Sequence, residues 1–281
     1  MRTVISHFYN EAYLMPWWLK HHLPLFDYGI LIDHGSTDES VDIIRTMAPH
    51  WRLVRSTLLT FDSLLTDFEV MTYERDVPGW KIVLNTTEFL MPACDLAAVE
   101  AQTLGEGRKG LACSGVICVD EDPSTAPDPA RSLLLQKHWG IDDNLILETE
   151  DRLAIGLTFE PERNRFYHCS PIGAYQPGRH HSYHVDSAHR YLDLMVFYYN
   201  YAPWNDRVIA RKLQIRARCS RDDLKRGWSA KHTKDIASLE KDYDRIRPHA
   251  VDLYSHRYCA DALYRLAERE KLQLSLSARQ S

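Results

Sequence analysis

The chain has 281 residues, of which 44% are hydrophobic and 26% are charged, which is an ordinary composition for a globular protein. Its formal net charge of −5 excludes general nucleic-acid binding by an overall basic surface, so any anionic ligand must be bound by a local basic cluster. The six cysteines form no CxxC pair and no apolar run reaches the length of roughly 18 residues that a membrane span needs, so neither a structural zinc site nor a transmembrane protein is indicated. Since no signal-peptide pattern follows Met1, we expect a cytoplasmic protein, and peripheral association with the inner face of a membrane stays open.

Strands and helices alternate in the first third of the chain. Apolar runs predict strands at residues 3–6, 28–33, 51–54 and 80–84. Helices are predicted from Glu11 with Asn10 as the cap, from Ser36 or Thr37, and over residues 61–73. This alternation predicts an α/β fold with a Rossmann-like central sheet, mixed but mostly parallel, and flanking helices.

The pattern becomes less regular after Asp95. Further strands are predicted at residues 111–119, 145–147, 165–168 and 172–175. From Tyr191 onward the spacing of Leu192, Met195, Val196 and Tyr199 predicts a helix, and more helices are predicted at 208–217, 233–245 and 257–271. We therefore expect one domain over residues 1–220 and a helical C-terminal extension over residues 221–281 that packs on it.

Polar residues follow the first two predicted strands. The segments HFYNE (His7 to Glu11) and LIDHGSTDES (Leu31 to Ser40) bring to one edge of the sheet the side chains of Asn10, Glu11, Asp33, Ser36 and Asp38. Carboxylates at such an edge can accept hydrogen bonds from ribose hydroxyls or from the N–H of a base. Ser36 and Asp38 also suit a helix N-terminus without any ligand, and that alternative stays open for each residue alone.

Two further segments carry polar or basic side chains. In WKIVLNTTEFLMP, the predicted strand ends in Asn85, Thr86, Thr87 and Glu88, at the position where an open α/β sheet usually binds its ligand. The segment from Pro161 to His184 supplies the cations Arg163, Arg165, His168, Arg179, His180, His181 and His184.

These motifs resemble a known family. The stretch NEAYLMPWWLKHHLPLFDYGILIDHGSTDES is similar to the opening of family 2-type glycosyltransferases with a GT-A fold, which show an Asn-Glu pair after strand one and Asp-x-Gly-Ser-x-Asp after strand two. NTTEFL is similar to the family's Asp-x-Asp-Glu-Phe-Leu element. The resemblance covers residues 1–92 and continues weakly to about residue 215.

The resemblance implies a function and a donor site. The expected reaction is transfer of a sugar from a nucleotide-sugar donor to a glycan or lipid-linked acceptor, with inversion, in polysaccharide biosynthesis. The implied donor-binding residues are Asn10, Glu11, Asp33, His34, Ser36, Asp38, Asn85, Thr87, Arg165 and His180. His34 stands where relatives often have Asp or Asn. We expect Glu11, Asp33 and Glu88 to share one cleft.

The chain departs from the family at the metal motif. The two motif carboxylates fall on Asn85 and Thr87, and only Glu88 keeps a charge. A divalent cation prefers carboxylate oxygens, so Mn²⁺ or Mg²⁺ held by Glu88 and His181 would bind weakly. The alternative is a metal-independent reaction in which Arg and His side chains of the 161–184 segment stabilise the leaving group.

An inverting transfer also needs a carboxylate base near the acceptor hydroxyl. The candidates for this base are Asp120, Asp142, Asp143 and Glu148. The predicted catalytic residues are Glu88 together with Asp142 and Asp143 in HWGIDD, for which turn or helix capping is the alternative. A non-catalytic protein of the same fold that binds nucleotide-sugars or glycans is the second hypothesis, because the carboxylate pair is lost. A zinc hydrolase built on the histidines of GRHHSYH is the third, but Pro177-Gly178 favours a turn there.

Overall fold

The computed structural model describes residues 1–142, 164–228 and 232–277. The strands are β1 (Arg2–Phe8), β2 (Tyr28–Asp33), β3 (Arg52–Arg55), β4 (Trp80–Val83), β5 (Glu88–Pro92), β6 (Gly110–Val119), β7 (Trp139–Asp142), β8 (Arg165–His168), β9 (Arg190–Tyr201) and β10 (Val251–Asp252). The α-helices are α1 (Met15–His22), α2 (Ser40–Met47), α3 (Ser63–Arg75), α4 (Leu96–Gly105), α5 (Leu133–Gln136), α6 (Asp206–Gln214), α7 (Arg221–Arg226), α8 (Ile236–Ile246) and α9 (Arg257–Ser277).

One mixed sheet organises the described chain, in the order β10-β7-β6-β8-β4-β1-β2-β3. β4, β1, β2 and β3 run parallel to one another. β8 lies between β4 and β6 and is antiparallel to both, while the long β9 pairs in parallel with β6 and antiparallel with β5. The predicted α/β class with a Rossmann-like parallel half is confirmed. Because β4, β1 and β2 are parallel, their carboxyl ends meet at the same edge of the sheet.

Both faces of the parallel strands are covered. In β1, Val4 belongs to the larger hydrophobic cluster, whereas the next residue, Ile5, belongs to a second cluster on the other face. Ile82 and Val83 divide between the same two clusters in β4. Since successive residues of a strand point to opposite faces, this division shows that helices and loops pack on both sides of the sheet.

Trp18 and the two histidines of α1 fix the backbone at the start of β5. The indole Nε1 of Trp18 donates to the carbonyls of Asn85 (3.1 Å) and Glu88 (2.9 Å). One ring nitrogen of His21 lies 2.7 Å from the Leu90 carbonyl, and Nε2 of His22 accepts from the Leu90 N–H at 3.2 Å. These side chains form hydrogen bonds with backbone groups of the turn and of β5. The helix thereby holds the turn between β4 and β5 in place.

The buried histidines predict a loss of stability in mild acid. Burial lowers the pKa of His21 to about 3 and that of His34 to about 4, from an ordinary value of 6.5. Below pH 6.5 the histidines of the unfolded chain become protonated, whereas the buried histidines of the native state stay neutral. Their contribution to the free energy of unfolding is therefore complete above pH 6.5 and is lost as the pH falls toward 4. At pH 5, each of the two histidines therefore lowers the free energy of unfolding by about 2 kcal/mol. We expect Tm to fall by on the order of 10 °C between pH 7 and pH 5, measured by calorimetry.

His50 provides the control for this measurement, because its side chain is exposed. His21→Gln should flatten the dependence of Tm on pH, whatever its effect at pH 7, and His50→Gln should leave it unchanged. Equal pH dependence in His21→Gln and the unsubstituted protein would contradict the assignment.

Several predicted elements differ from the structure. α1 begins at Met15 rather than Glu11, and Asn10 adopts a left-handed backbone (φ 50°) in a loop. α2 begins at Ser40 rather than after Ser36 or Thr37. The segment from Tyr191 is the strand β9, not a helix, and residues 172–175 form no strand: Tyr175 makes only an isolated bridge with Ser182. The predicted strand at 145–147 lies outside the described residues.

The segment after residue 220 contacts the rest of the chain through strand pairing and hydrophobic packing. β10 pairs antiparallel with β7, and Cys259, Leu263 and Leu266 of α9 belong to the larger hydrophobic cluster. Within the described part of the chain, no helix has both the length and the apolar character needed to cross a bilayer.

Candidate functional site

A cleft of about 620 Å³ opens at the carboxyl edge of the parallel strands. Residues at or just after the ends of β1, β2 and β4 form one wall: His7, Phe8, Tyr9, Glu11, His34, Asn85, Thr86 and Thr87. The opposite walls come from the start of α3, the loop at 176–181, the end of β9, α6 and the segment around α8. Three strand ends that are neighbours in the sheet therefore converge on one concave site, where open α/β sheets bind ligands.

The cleft is more basic than the protein around it. Among the described residues, the Arg and Lys side chains that line it are Arg179, Arg211, Lys212, Arg218 and Lys234. The carboxylates that line it are Glu11, Asp67 and Asp242. Five cations thus face three anions in a chain of net charge −5. Low-dielectric walls concentrate this positive potential, which favours an anionic ligand.

Arg179 occupies the centre of the site. Its Nη1 is paired with the Asp67 carboxylate of α3, and its Nη2 donates to Oδ1 of Asn85 at 2.7 Å. The side chain is 6% exposed, and its Nε has no hydrogen-bond partner among the described residues. Burial raises the pKa of the Asp67 carboxyl, although Arg179 opposes this shift. The Nε–H is therefore a buried donor, unpaired within the described part of the chain, on a side chain that lines the cleft.

The backbone around Arg179 shapes this arrangement. Gly178 (φ 91°) and Arg179 (φ 62°) are both left-handed, which is uncommon for a residue other than Gly. The Gly178 N–H donates to Asp67 Oδ2 at 2.8 Å. Asp67 therefore orders both the turn and the guanidinium, and such a strained residue, held by its surroundings, is typical of functional sites.

Glu88 is enclosed by a second arginine. The Nε of Arg165 donates to Oε2 of Glu88 at 2.8 Å, and its Nη2 pairs with Oε1. The Asn85 backbone N–H also donates to Oε2, at 2.8 Å. Burial opposes the charge on Glu88, but Arg165, the Asn85 N–H and Arg179 together outweigh it, so the pKa of Glu88 is lowered. Both carboxylate oxygens are engaged, and Glu88 lies outside the set of residues that line the cleft.

Arg165 links Glu88 to the cleft. Its Nη1 lies 2.6 Å from Nδ1 of His180, and His180 lines the cleft. The ion pair thus positions His180, while Glu88 and Arg165 themselves are 3% and 2% exposed. His181 also lines the cleft.

The loops after β1 and β2 are hydrogen-bonded to each other. Asn10 Oδ1 accepts from the Thr37 N–H at 2.7 Å, and the Asn10 N–H donates to the Ser36 hydroxyl at 2.9 Å. Asp33 Oδ1 accepts from the Ser36 N–H at 2.7 Å, and Asp38 Oδ2 accepts from the Ala12 N–H at 3.0 Å. These side chains shape the loops, and the adjacent Glu11 and His34 line the cleft.

An aromatic group lies at the β1 and β2 end of the cleft. The guanidinium of Arg218 lies 4.0 Å from the ring centroid of Tyr9, and its Nη2 donates to the His34 carbonyl at 2.7 Å. The His34 side chain is buried, and burial together with His7 and Arg218 lowers its pKa to about 4, so the ring is neutral near pH 7. Its Nε2 has no hydrogen-bond partner among the described residues. A flat ligand with an N–H donor fits this chemistry.

Glu11 is held by the C-terminal half of the chain. The Arg211 Nη2 of α6 donates to Glu11 Oε1 at 2.6 Å, and its Nε pairs with Oε2. Burial opposes the charge on Arg211, but Glu11 outweighs it and raises the pKa of Arg211. The site is therefore closed by contacts between residues 200 positions apart.

The structure brings together part of the predicted site. Of the predicted residues, those that line the cleft are Glu11, His34, Asn85, Thr87, His180 and His181. Asn10, Asp33, Ser36 and Asp38 lie in the loops behind it, and Arg165 and Glu88 form the buried ion pair. Asp143 lies outside the described residues, and only the backbone of Asp142, at the end of β7, is described. Of the three carboxylates expected to share the cleft, only Glu11 lines it.

The cleft residues without a role in the sequence-based assignment include Asp67, Arg211, Lys212 and Arg218. Asp67 lies in the middle of a predicted helix, where the local sequence does not indicate a role in a site. Arg211 to Arg218 form a run of basic residues in an acidic chain, and this local charge is a signal that could have found them.

The side chains that could act as metal ligands at the NTTEFL motif do not fit a divalent cation. Both oxygens of Glu88 are bonded to Arg165 and to Asn85, and Asn85 Oδ1 accepts from Arg179. The described residues contain no cluster of three His, Cys, Asp or Glu side chains arranged to hold a metal ion. Two guanidinium groups contact the motif residues that would have to bind a metal, and like charges repel.

Comparison with known proteins gives matches to solved structures alone. No protein-family model matches the chain, and no curated protein matches it. Glucosyl-3-phosphoglycerate synthase from Mycobacterium tuberculosis, in complex with Mn²⁺, UDP and glucosyl-3-phosphoglycerate, is 14% identical over 60% of this chain and 56% of its own, with a TM-score of 0.34. S. aureus TarS is 11% identical over 91% of this chain and 44% of its own, with a TM-score of 0.35.

HddC from Yersinia pseudotuberculosis is a further match, 12% identical over 43% of this chain and 60% of its own, with a TM-score of 0.28. The chain thus spans about half the length of the first two solved structures that it matches. Any assignment of activity has to be built on the residues of the cleft.

Proposed function

We propose that the protein is a glycosyltransferase that moves a sugar from a nucleotide-sugar donor to a glycan or lipid-linked acceptor, with inversion, in polysaccharide biosynthesis. The observation that carries the proposal is the basic cleft where β1, β2 and β4 end, with two buried nitrogens that lack partners among the described residues: Arg179 Nε and His34 Nε2. A nucleotide-sugar is anionic at its diphosphate and has a flat base at one end, so it matches both features.

The base and ribose would bind at the β1 and β2 end. Tyr9 and the Arg218 guanidinium form a stacked platform there, and base stacking on aromatic rings is favourable for any base. The neutral His34 ring offers an acceptor to an N–H of the base. The hydrogen-bonded loops of Asn10 and Asp33 would keep this end rigid before the donor binds.

The diphosphate would lie near Arg179. Transfer of the sugar leaves a nucleoside diphosphate that gains negative charge in the transition state, and a fixed cation in a buried site stabilises that charge. Arg179 is held in advance by Asp67 and Asn85, and His180 is held by Arg165. These side chains would take over the role that the family gives to a metal ion, which is the metal-independent alternative raised by the sequence.

A non-catalytic binding protein of the same fold is the second candidate, and one observation favours it. Each carboxylate that lines the described cleft is bound to a cation: Glu11 to Arg211, Asp67 to Arg179, and Asp242 to Lys234. Ion pairing stabilises the charged carboxylate and weakens it as a base. The proposed transferase would need its base from Asp142 or Asp143, which keep their predicted role.

A thermal-shift screen of nucleotide-sugars, each with Mn²⁺ and with EDTA, tests the proposal. A donor at a hundred times its Kd should stabilise the protein by about 2.7 kcal/mol, and we expect the same shift in EDTA as in Mn²⁺. Release of nucleoside diphosphate from that donor, followed in EDTA, should proceed at the rate seen with Mn²⁺. Complete loss of turnover in EDTA with recovery in Mn²⁺ would refute metal independence, and binding without turnover would identify the non-catalytic alternative.

A further inference from the structure

An apolar and basic surface borders the mouth of the cleft. Its apolar members are large side chains that solvent reaches: Leu59 (92% exposed), Leu65 (48%), Phe68 (53%), Leu224 (43%) and Trp228 (41%). We call this set of residues, with the exposed basic side chains of α7 and its flanks, the α3–α7 surface. Scattered exposed apolar side chains are ordinary, but a group of five on neighbouring segments is not.

The two segments that form the surface are held side by side. The Phe61 N–H donates to the Arg218 carbonyl at 2.7 Å, and the Ser220 N–H donates to the Phe61 carbonyl at 2.7 Å. The Ser63 hydroxyl donates to Asp223 at 2.7 Å, and the Ser220 hydroxyl donates to the N-cap carboxylate of α3, Asp62, at 2.7 Å. The first turns of α3 and α7 therefore lie next to each other, which places the exposed residues of the two segments in one region of the surface.

The same face is positively charged. The exposed basic side chains are Arg216, Arg221, Lys225 and Arg226. Asp222 is the exposed acid in α7, and its closest approach to Lys225 is 3.9 Å, which leaves the lysine largely in solvent. Asp223 is buried against Ser63. An excess of positive charge on this face contrasts with the net charge of −5 of the chain.

The combination of charges and apolar side chains selects the kind of partner. A nucleic acid or an acidic protein would engage the arginines and lysines but would leave Leu59 and Phe68 in water. A bilayer with anionic lipids satisfies both, since the apolar side chains enter the headgroup region while Lys and Arg contact the lipid phosphates. Tryptophan is enriched at the interface between membrane and water, which suits Trp228. The guanidinium of Arg226 lies 4.9 Å from the centroid of its ring.

We propose that the α3–α7 surface docks the protein on a bilayer rich in anionic lipid, with the cleft opening beside the membrane. Four residues of this region also line the cleft: Phe61, Ser63 and Thr66 around the start of α3, and Trp228 just after α7. A lipid-linked acceptor in that bilayer would therefore reach the cleft without leaving the membrane. The docking itself does not depend on the transferase proposal.

Flotation of the full chain with vesicles tests this surface. We expect binding to vesicles of equal parts phosphatidylcholine and phosphatidylglycerol to exceed binding to pure phosphatidylcholine by about tenfold or more, and to be lost at about 1 M salt. Arg221→Glu with Lys225→Glu should lower the binding by about tenfold or more. Leu59→Ser with Phe68→Ser should lower it by a similar factor, because less apolar surface is buried.

Matched substitutions elsewhere control for charge and exposure. Arg45→Glu changes an exposed arginine of α2, and Leu104→Ser changes a leucine of α4 that is 52% exposed. Both should bind vesicles as the unsubstituted protein does, and all variants should keep its Tm. Three results would each overturn the docking proposal. They are equal binding to the two kinds of vesicle, a loss of vesicle binding in the control variants equal to that in the surface variants, and binding to soluble polyphosphate without binding to vesicles. None of these outcomes bears on donor binding, which the thermal-shift screen measures separately.

Discussion

Replacing Arg179 with glutamine is expected to lower the turnover of the nucleotide-sugar by about a hundredfold to a thousandfold, which is the usual effect of removing one preorganised donor from a developing anion. Arg179 is the buried cation between Asp67 and Asn85, and its Nε is a donor without a partner among the described residues. The same change should weaken binding of the nucleoside diphosphate and leave binding of the plain nucleoside unchanged. Titration calorimetry with both ligands measures this difference.

A simple folding defect would give a different result. Arg179→Gln leaves the carboxylate of Asp67 buried without its cation, and because burial already raises the pKa of that carboxyl, the residue should take up a proton. Asp67→Asn keeps the cation and should retain most of the binding of the diphosphate. Arg45→Gln, at an exposed arginine, is the control for charge. If Arg179→Gln lost nucleoside and nucleoside diphosphate binding equally, the role of Arg179 at the diphosphate would be wrong.

Breaking the ion pair between Glu88 and Arg165 is expected to cost the largest amount of stability. Arg165→Met leaves Glu88 almost fully buried without its cation, and removing one partner of a buried ion pair usually costs about 3–5 kcal/mol. The double variant Arg165→Met with Glu88→Gln should recover much of this loss, because the amide oxygen still accepts from the Asn85 N–H and no charge is buried. Chemical denaturation of the two single variants and the double variant measures the coupling.

An exposed pair provides the comparison. Arg45 and Asp42 on α2 lie 3.5 Å apart with side chains 69% and 80% exposed, and Arg45→Met should cost about 1 kcal/mol or less. Donor binding should fall in Arg165→Met as well, since His180 loses the group that positions it. If the double variant were as unstable as Arg165→Met alone, packing of the Arg165 side chain rather than its charge would explain the loss.

The parallel half of the fold could be predicted because its local patterns are unambiguous. The buried runs of β1, β2 and β4 and the intervening helices have the spacing of alternating strands and helices, and their order fixes which edge carries the site. The residues adjacent to the strand ends followed from this: Glu11, His34, Asn85 and Thr87 all line the cleft. The first two helices begin later than predicted, because Asn10 and Ser36 bond to each other's loops and do not cap a helix.

The second half could not be predicted in the same way. Leu194 to Phe197 of β9 are all buried because they pack on both faces, so the strand shows no alternation, and its apolar residues also fit helical spacing. The roles of Asp67 and Arg211 depend on contacts with residues about 110 and 200 positions away in the chain. Local sequence patterns carry no information about such pairs. For the same reason the charge of Glu88 suggested a metal ligand, whereas the structure shows Arg165 beside it.

The ion pair between Glu11 and Arg211 has a consequence for synthesis of the protein. The parallel strands β1 to β4 all lie within the first 83 residues and pair with one another. The cleft, in contrast, is incomplete until Arg211 and the segment around α8 have left the ribosome. A partly translated polypeptide therefore lacks the partner of Glu11 where the finished protein has a basic cavity, and the cleft that we propose for the donor is complete only once α8 has been synthesised.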